Sequence, residues 1–353
     1  LSQDVVANLL KHTGPIEMEE YEKTLSADNF VGEVQAAVEF EYDKEENKPK
    51  QIIADLAPEL LQRVISLDQK TFLKTFLILN NSLEQEKVLF YFNNEDMQSQ
   101  VEKYGWSGKM KEINEDQDYL MVIHTNISGG KTEDVIENEI DHKVEVGEDG
   151  TLLATVTLRR THNGDITKTF QADNNVDYVR FYVPEGSKFI SAKGFNFNPS
   201  YLFKYASTEY ENLSKDETVA ETEENTYIDE SSRTRVGEDS NRTVFGNWVQ
   251  VAPGQEVIAE IKYVLPFKFE VDDESSNLKK WISALFSKDK QYKYSMVVEK
   301  HPGMDAVDFS SQLVVPEDWD VKKVITSSNI SQDNTIFNSS LLTDGYYGIV
   351  VED

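Results

Sequence analysis

The chain has 353 residues, 39% of them hydrophobic and 11% aromatic, with 64 acidic and 35 basic side chains and a net charge of −29. This length suffices for two or three domains with hydrophobic cores, and the composition argues against wholesale disorder. The acidic surface argues against binding of nucleic acid or anionic lipid through a general basic patch; its simplest role is to keep an exposed protein soluble.

The chain contains no cysteine. This suits a bacterial protein that faces outward without disulfides, although a cytosolic protein could also lack cysteine. No window reaches the roughly 18–20 apolar residues of a membrane span. Leu1 opens directly into an apolar run without a signal peptide. We therefore expect a fragment or processed product whose membrane helix lies upstream.

Residues 1–125 are predicted to form an α/β, mainly helical portion, the C-terminal part of a larger domain. A first helix carries Val5, Val6, Leu9 and Leu10 and ends at Gly14-Pro15. Ser26 is the expected N-cap of the second helix. Further helices are predicted after Pro49, Asp68 and Asn94.

Two details of this portion are specific enough to check. Pro58 removes a backbone donor and should kink or split the helix that begins near Pro49. The apolar runs Lys87–Phe92 and Tyr119–Ile123 are predicted to be buried strands.

From residue 126 onward the hydrophobic period becomes two, which is typical of strands. Asn138, Ile140, His142 and Val144 share one face, and Asp149-Gly150 predicts a hairpin with Leu152–Arg160. A second hairpin is predicted around Pro253-Gly254.

We therefore predict an α+β multidomain fold whose second portion is an antiparallel, immunoglobulin-like β-sandwich, single or double. Its parts would be residues 126–270, with an acidic surface insertion at 207–241, and a second β region at 271–353 that could pack with the first. Residues 278–286 are predicted to form a short helix.

Gly129-Gly-Lys-Thr132 is similar to the end of a phosphate-binding loop. That loop also needs a glycine where Thr125 stands, and it leads into a helix rather than an alternating strand. We interpret Asn126, Gly129, Gly130 and Lys131 as a tight interdomain turn, because glycine relieves the φ restriction and the polar side chains can bond nearby backbone.

No catalytic residue and no metal ligand is predicted. The five histidines lack the spacing of a zinc site, and no nucleophile motif is present. No cofactor is predicted; calcium, which prefers oxygen ligands, is the one candidate. It would bind at the acidic runs Asp173–Asp177 or Asp272–Glu274, which we interpret first as solvated turns.

Several aromatic residues lie in or beside the acidic insertion. Such rings can stack on sugars or anchor a protein partner, or they can attach the loop to its own sheet. The possible contact residues are Tyr201, Phe203, Tyr205, Tyr210 and Tyr227.

A set of ordered phrases resembles the bacterial domain of unknown function family 4012. The phrases include Leu9 to Pro15, Leu25 to Asn29, Tyr182 to Gly186 and Val251 to Gly254. The resemblance covers most of the chain. It implies a cell-envelope protein with an N-terminal membrane helix and an outward-facing body, and it implies no biochemical activity.

The helical portion also resembles the LytR–CpsA–Psr phosphotransferases, which attach anionic glycopolymers to the cell wall. Those enzymes hold a pyrophosphate with arginines in a polar loop. The matching loop here offers Lys44, Lys48 and Lys50 instead, and lysine lacks the planar two-pronged grip of a guanidinium.

The sequence therefore predicts a non-catalytic extracytoplasmic module with a structural or adhesive role at the bacterial cell surface. Its partner would be a surface protein or a cell-wall glycan. The alternative is a degenerate or incomplete glycopolymer transferase fold that binds a polyprenyl-phosphate lipid or a glycan. A calcium-stiffened stalk is a third hypothesis.

Overall fold

The computed structural model describes residues 2–42, 44–45, 47–127, 129–196, 198–199, 202, 216–269, 291–327, 329–330 and 336–352. The chain divides into two compact units. Unit 1 comprises Leu1–Lys109 with Pro302–Met304, and unit 2 comprises Met110–His301 with Asp305–Asp353. The predicted fold class, a helical portion followed by mainly antiparallel strands, is confirmed.

The predicted domain boundaries were 125/126 and 270/271, whereas the first unit ends at Lys109. The strand that contains Tyr119–Ile123 consequently lies in unit 2, together with both predicted β regions.

Unit 1 is mainly helical. Its elements are α1 (Gln3–Thr13), β1 (Ile16–Met18), β2 (Lys23–Leu25), α2 (Phe30–Ala36), α3 (Gln51–Ile65), α4 (Gln69–Glu84) and α5 (Glu95–Lys103). A π-helical turn, Ala37–Glu41, extends α2. The strands β1 and β2 form a small antiparallel hairpin. The core combines the predicted apolar face of α1 with Ile52, Leu56 and Leu60 of α3.

The helix boundaries follow local chemistry. Gly14 ends α1 with φ of +80°, which a residue with a side chain rarely adopts. The side chains of Asp68 and Asn94 accept backbone N–H bonds at the starts of α4 and α5. Asn29, not Ser26, precedes α2, and Ser26 instead donates its amide to the side chain of Asn29.

Two expectations for this unit are revised. Of the predicted kink or split at Pro58, the split does not occur, because Ala54 and Pro58 lie on the exposed side of α3, where solvent can bond the carbonyl left without a donor. Lys87–Phe92 is not a strand: the amide of Phe90 bonds the carbonyl of Trp106, and that of Phe92 bonds the side chain of Gln98. Apolar content alone does not make a strand when no neighbouring strand pairs with it.

Helix α4 leaves four large apolar side chains exposed, although Leu79 and Leu83 pack against the core. Thr75 and Ser82 are buried, whereas Phe72, Leu73, Phe76 and Leu77 are exposed. The helix itself was predicted correctly, but much of its apolar surface lies outside the core.

Unit 2 is built from two sheets. Its strands are β3 (Asp118–Ile123), β4 (Ile136–Val146), β5 (Thr151–His162), β6 (Asn175–Pro184), β7 (Lys188–Lys193), β8 (Tyr227–Ile228), β9 (Arg235–Asp239), β10 (Arg242–Val251), β11 (Glu256–Lys268), β12 (Gln291–Glu299), β13 (Val307–Val314), β14 (Asp320–Thr326), β15 (Asn329–Ile330), β16 (Ile336–Leu341) and β17 (Gly345–Glu352). One helix, α6 (Glu217–Glu224), precedes β8.

The first sheet, sheet A, has the order β14-β17-β12-β3-β6-β10-β9-β8, and the second, sheet B, has the order β15-β16-β13-β4-β5-β11-β7. Most neighbours are antiparallel, but β3 pairs with β12 and β4 with β13 in parallel. These two parallel pairings join the strands after residue 290 to both sheets formed by the earlier strands.

The inner faces of the two sheets share one hydrophobic core. Phe181 and Phe245 of sheet A meet Leu158 and Tyr263 of sheet B in a single cluster. In β5 every second residue is buried, and the predicted inward face of β4 is confirmed at Asn138, Ile140, His142 and Val144. The β4–β5 hairpin around Asp149-Gly150 is also confirmed.

The second predicted hairpin is wrong. The turn at Pro253-Gly254 links β10 in sheet A to β11 in sheet B, so it crosses between the sheets. The amide of Gly254 bonds the carbonyl of His162, which fixes the turn to the end of β5. A tight turn has the same sequence signature whether the chain folds back in one sheet or changes sheets.

The described part of the acidic insertion contains regular secondary structure. Its described part, residues 216–241, supplies α6, β8 and β9, and β9 pairs with β10 of sheet A. The predicted helix at residues 278–286 lies outside the described residues.

We expect Phe181→Ala to lower the free energy of unfolding of unit 2 by about 3–5 kcal/mol, because the side chain is completely buried and its removal leaves a cavity. Chemical denaturation followed by circular dichroism would measure the change. Ile258→Ala on β11 is the matched control, since Ile258 is exposed, and should change the value by about 0.5 kcal/mol or less. Equal losses for both variants would contradict the shared core.

Candidate functional site

The three lysines predicted to bind a ligand occupy different surroundings. All three are exposed, and only Lys48 lines a cleft in unit 1, whose volume is about 520 Å³. Lys44 and Lys50 are not among its lining residues. The structure thus places one of the three candidates at a concave surface.

Acidic groups offset the cations of that cleft. Lys23, which also lines it, contacts Glu33 at 2.6 Å and Glu41 at 3.0 Å. Its hydrogen bonds to Glu33 and Glu41 raise the pKa of Lys23. Tyr21 donates to Asp55 at 2.5 Å, and burial together with this bond raises the pKa of Tyr21 to about 12. An anion in the cleft would therefore face carboxylates as well as ammonium groups.

The predicted interdomain turn lies inside unit 2. Residues 126–131 connect β3 in sheet A to β4 in sheet B, so the segment crosses between sheets and does not join the units. Gly129 is required there, because a Cβ atom would lie 2.2 Å from Oδ1 of Asn126 and 2.6 Å from the amide of Val176. Thr132 donates to the carbonyl of Gly129 at 2.7 Å.

This crossing is fixed by a buried charged network, which we call the end network. It consists of Arg160, Asp177, His124, Glu133 and Asn175. Arg160 of β5 donates to Asp177 of β6 at 2.5 Å, to Glu133 at 3.2 Å and to Asn175 at 3.1 Å. Because β5 and β6 belong to different sheets, the pair Arg160–Asp177 ties the sheets together.

Asp177 is surrounded by donors. His124 Nδ1 lies 2.7 Å from Oδ2, and the amide of Thr125 donates to Oδ1 at 2.6 Å. Burial alone would raise the pKa of Asp177, but the charges of His124 and Arg160 outweigh burial, and the pKa falls below its ordinary value. The interpretation of Asp173–Asp177 as a solvated turn is therefore wrong at Asp177, and its oxygens are occupied by protein donors.

A second buried polar group, the interior array, lies between the sheets. It consists of Ser311, His142, Asp118, Tyr294 and Tyr347. Ser311 Oγ is 2.8 Å from His142 Nδ1 and 2.8 Å from the Tyr347 hydroxyl. Asp118 Oδ2 accepts from Tyr294 at 2.5 Å and lies 3.6 Å from His142 Nε2, beyond hydrogen-bond distance.

The interior array has the residue types of a nucleophile, base and acid, but not their setting. A serine nucleophile must reach the substrate carbonyl. Ser311, His142 and Asp118 are 0%, 1% and 0% exposed. The serine hydroxyl is enclosed by Tyr347 and by the sulfur of Met296 at 3.4 Å. These groups are positioned to bond one another, not to touch a substrate.

Burial sets the protonation of the interior array. It raises the pKa of Asp118 to about 7, against opposing hydrogen bonds from Tyr294 and the amide of Tyr119. It lowers the pKa of His142 to about 3. Both groups are therefore neutral inside the folded protein in mildly acidic solution, which avoids two unpaired buried charges.

The outer face of sheet A carries a recess of about 200 Å³. Outward side chains of β6, β9 and β10 line it, together with the end of α6. Arg180 donates to the hydroxyl of Tyr182 at 3.1 Å, and that hydroxyl donates to Asp239 at 2.8 Å. Tyr178 packs on Trp248, with ring centroids 5.0 Å apart. We call this site the sheet A recess.

The sequence analysis did not identify these three sites as sites. It placed His142 on the inward face of β4, and Asp118 directly precedes a predicted buried strand, which is the only local signal for the interior array. Arg180 and Tyr178 alternate outward along β6. Of the predicted contact aromatics, Tyr227 is exposed on β8, and Tyr201, Phe203, Tyr205 and Tyr210 lie outside the described residues.

No family model matches the chain, and no curated protein matches its sequence. Among solved structures, it is similar to an M1 zinc metallopeptidase from Deinococcus radiodurans bound to a Tyr-Ser-Ala substrate, with 12% identity, a TM-score of 0.24 and coverage of 61% of this chain and 42% of that one. The match thus spans less than half of the metallopeptidase.

It is also similar to a putative nutrient-binding protein from Legionella pneumophila, with 5% identity, a TM-score of 0.28 and coverage of 66% of this chain and 70% of that one. At these scores neither similarity supports an argument about function. In the described part of the chain, no helix is long and apolar enough to span a membrane.

The opposed pKa changes predict a specific pH dependence. Unfolded Asp118 loses its proton near its ordinary value of 3.8, whereas the folded protein keeps it to about pH 7. Its contribution to stability is therefore complete below pH 3.8 and is lost as the pH rises to about 7. For His142 the contribution is complete above pH 6.5 and is lost as the pH falls to about 3.

At mildly acidic pH, a rise in pH reduces the stability contributed by Asp118 and increases the stability contributed by His142. The variant Asp118→Asn removes the contribution of Asp118. We compare the free energy of unfolding of Asp118→Asn with that of the unchanged protein. The difference, variant minus unchanged protein, should rise by about 1.4 kcal/mol per pH unit across the mildly acidic range. Urea denaturation at several pH values would measure it. Asp308→Asn, on an exposed residue of sheet B, is the control for loss of a carboxylate. If the difference for Asp118→Asn did not change with pH, the assigned protonation of Asp118 would be contradicted.

Proposed function

We propose that the protein is a non-catalytic extracytoplasmic module of the bacterial cell envelope, with a structural or adhesive role. The observation that carries this proposal is the enclosure of Ser311, His142 and Asp118 between the sheets. Ser311 bonds His142 and Tyr347 there, and Asp118 accepts a bond from Tyr294, so the residue types best suited to hydrolysis or transfer lie inside the sandwich and not on a surface that a substrate could reach.

The construction of unit 2 supports a rigid contact body. Eight and seven strands form its two sheets, and the end network ties the sheets together at a crossing point. Extended sheet faces of this kind can contact a protein or a glycan without a conformational change. The antiparallel pairings and the sheet crossings at β6–β7 and β10–β11 support an immunoglobulin-like grouping as part of this proposal.

The envelope location and the membrane anchor rest on the resemblance to family 4012 described above. The net charge of −29 is consistent with an exposed, soluble body and adds no preference between partners. The proposed partner is a cell-wall glycan or a cell-surface protein.

The alternative, a degenerate transferase fold that binds a polyprenyl-phosphate lipid, is favoured by one observation, the cleft of about 520 Å³ that Lys48 lines. Its size lies within the roughly 300–1,000 Å³ typical of ligand sites. The carboxylates of Glu20, Glu22 and Glu41 on its wall oppose a phosphate.

Retention on isolated bacterial cell walls tests the main proposal. We expect the protein to sediment with walls, and to do so without releasing or transferring glycan. Walls stripped of protein and walls stripped of glycopolymer separate the two kinds of partner. Turnover of a lipid-linked glycan, with no retention on either wall preparation, would overturn the proposal.

The alternative has a matched pair of variants. Under our proposal, Lys48→Met and Lys50→Met should bind vesicles that contain a polyprenyl phosphate equally weakly, because neither lysine forms an anion site. Selective loss of binding in Lys48→Met would favour the transferase fold, since only Lys48 lines the cleft. Flotation of the vesicles would measure binding.

A further inference from the structure

The sheet A recess contains an arginine whose hydrogen-bonding capacity is largely unused. A guanidinium has five N–H donors. Among the described residues, Arg180 donates one hydrogen bond, to Tyr182, and its buried Nε–H has no acceptor. The Nε–H groups of Arg160 and Arg242 also have no acceptor among the described residues, but Arg180 differs from Arg160 and Arg242 because it lines an open recess.

Several other arginines of this acidic chain are paired with carboxylates, whereas Arg242 bonds the backbone carbonyls of Asn241 and Lys111. Arg159 contacts Glu139 and Glu256 on the outer face of sheet B, and Arg235 contacts Glu223 in the lining of the recess itself. Arg180 has no carboxylate within 4.0 Å in the described part of the chain, although Asp239 and Glu238 line the same recess. The guanidinium N–H groups of Arg180 that do not bond Tyr182 are thus available to bind an anion from solution.

The rest of the recess suits an uncharged, hydroxyl-bearing ring. Tyr178 lies across Gly246, where a Cβ atom would come within 2.3 Å of its hydroxyl, so the glycine lets the ring lie over the strand. The faces of such rings pack against sugar rings. The carboxylates of Glu238 and Asp239 can accept hydrogen bonds from hydroxyl groups.

The same carboxylates select the kind of anion. A phosphate ester near neutral pH carries about −1.5 to −2 charges, whereas a carboxylate carries one, and repulsion from Glu238 and Asp239, which unlike Glu223 form no ion pair with an arginine of the recess, grows with that charge. A planar carboxylate also fits the fork of Arg180 in a two-bond geometry. The volume of about 200 Å³ is below the roughly 300–1,000 Å³ of sites for drug-sized ligands, and so suits one ring.

We propose that the sheet A recess binds a single hexuronic acid residue of an acidic polysaccharide, with its carboxylate on Arg180 and its ring against Tyr178. This inference deepens the proposed function and rests on it for the source of the polymer, a glycan at the cell surface. The binding chemistry depends only on the recess.

Titration of the whole protein with methyl β-D-glucuronide, followed by NMR of the protein, tests the site. We expect saturable binding, with the arginine Nε–H signal of Arg180 among the resonances that shift. Methyl β-D-glucoside, which lacks the carboxylate, should bind at least tenfold more weakly. Glycerol phosphate should also bind more weakly; equal or tighter binding of the phosphate would overturn the choice of carboxylate.

Variants at Arg180 test whether binding depends on the planar guanidinium group or only on a positive charge. Arg180→Met and Arg180→Lys should each weaken binding at least tenfold, because lysine keeps the charge and loses the fork. Arg159→Met removes the same charge from the other sheet and should leave binding unchanged. Thermal melting confirms that each variant is folded, and unchanged binding in folded Arg180→Met would overturn the inference.

The two proposals fail in different ways. If walls retain the unchanged protein and Arg180→Met equally, the inference fails and the proposed function stands. If the glucuronide binds in the recess but no wall preparation retains the protein, the inference stands for the site and the proposed function fails.

Discussion

The interior of unit 2 imposes one constraint on the whole chain: every second residue of its central strands lies between two sheets, away from solvent. Apolar side chains meet that constraint by packing, as Phe181 and Leu158 do. Polar side chains meet it mainly by hydrogen-bonding other side chains or the backbone. The end network and the interior array are two of the places where the sequence puts polar groups inside and supplies partners for them from other strands.

The same constraint divides the chemistry of the molecule into two faces. Inward groups such as Asp177 and Ser311 form hydrogen bonds with neighbouring donors and acceptors, and these bonds hold the strands together. Outward groups are not required to be satisfied by the fold. Arg180, on the outer face of β6, keeps donors that the protein does not use, and for that reason recognition is more naturally placed on the outer face of the sandwich than inside it.

Sequence reasoning succeeded where the signal is periodic and local. The alternation of β4 and β5 and the Asp149-Gly150 turn specify a hairpin and its buried face without knowledge of any distant residue. It failed where the structure of a segment depends on contacts with distant parts of the chain. Lys87–Phe92 is apolar but has no strand beside it, and the Pro253-Gly254 turn changes sheets. Asp118, His142 and Ser311 meet only because of sheet register, which no local motif encodes, whereas outward alternation in β6 could have pointed to Arg180.

The parallel pairings of β12 with β3 and of β13 with β4 have a consequence for biosynthesis. Strands β3 and β4 gain one neighbour early, from β6 and β5, but their other edges stay open until residues 291–314 have been translated. During that interval a nascent chain presents two unpaired, largely apolar edges, the kind of surface on which misassembly begins. Such an order of synthesis makes the protein a natural client for chaperones that shield β edges, and it makes truncation before β12 more damaging than loss of the final strand.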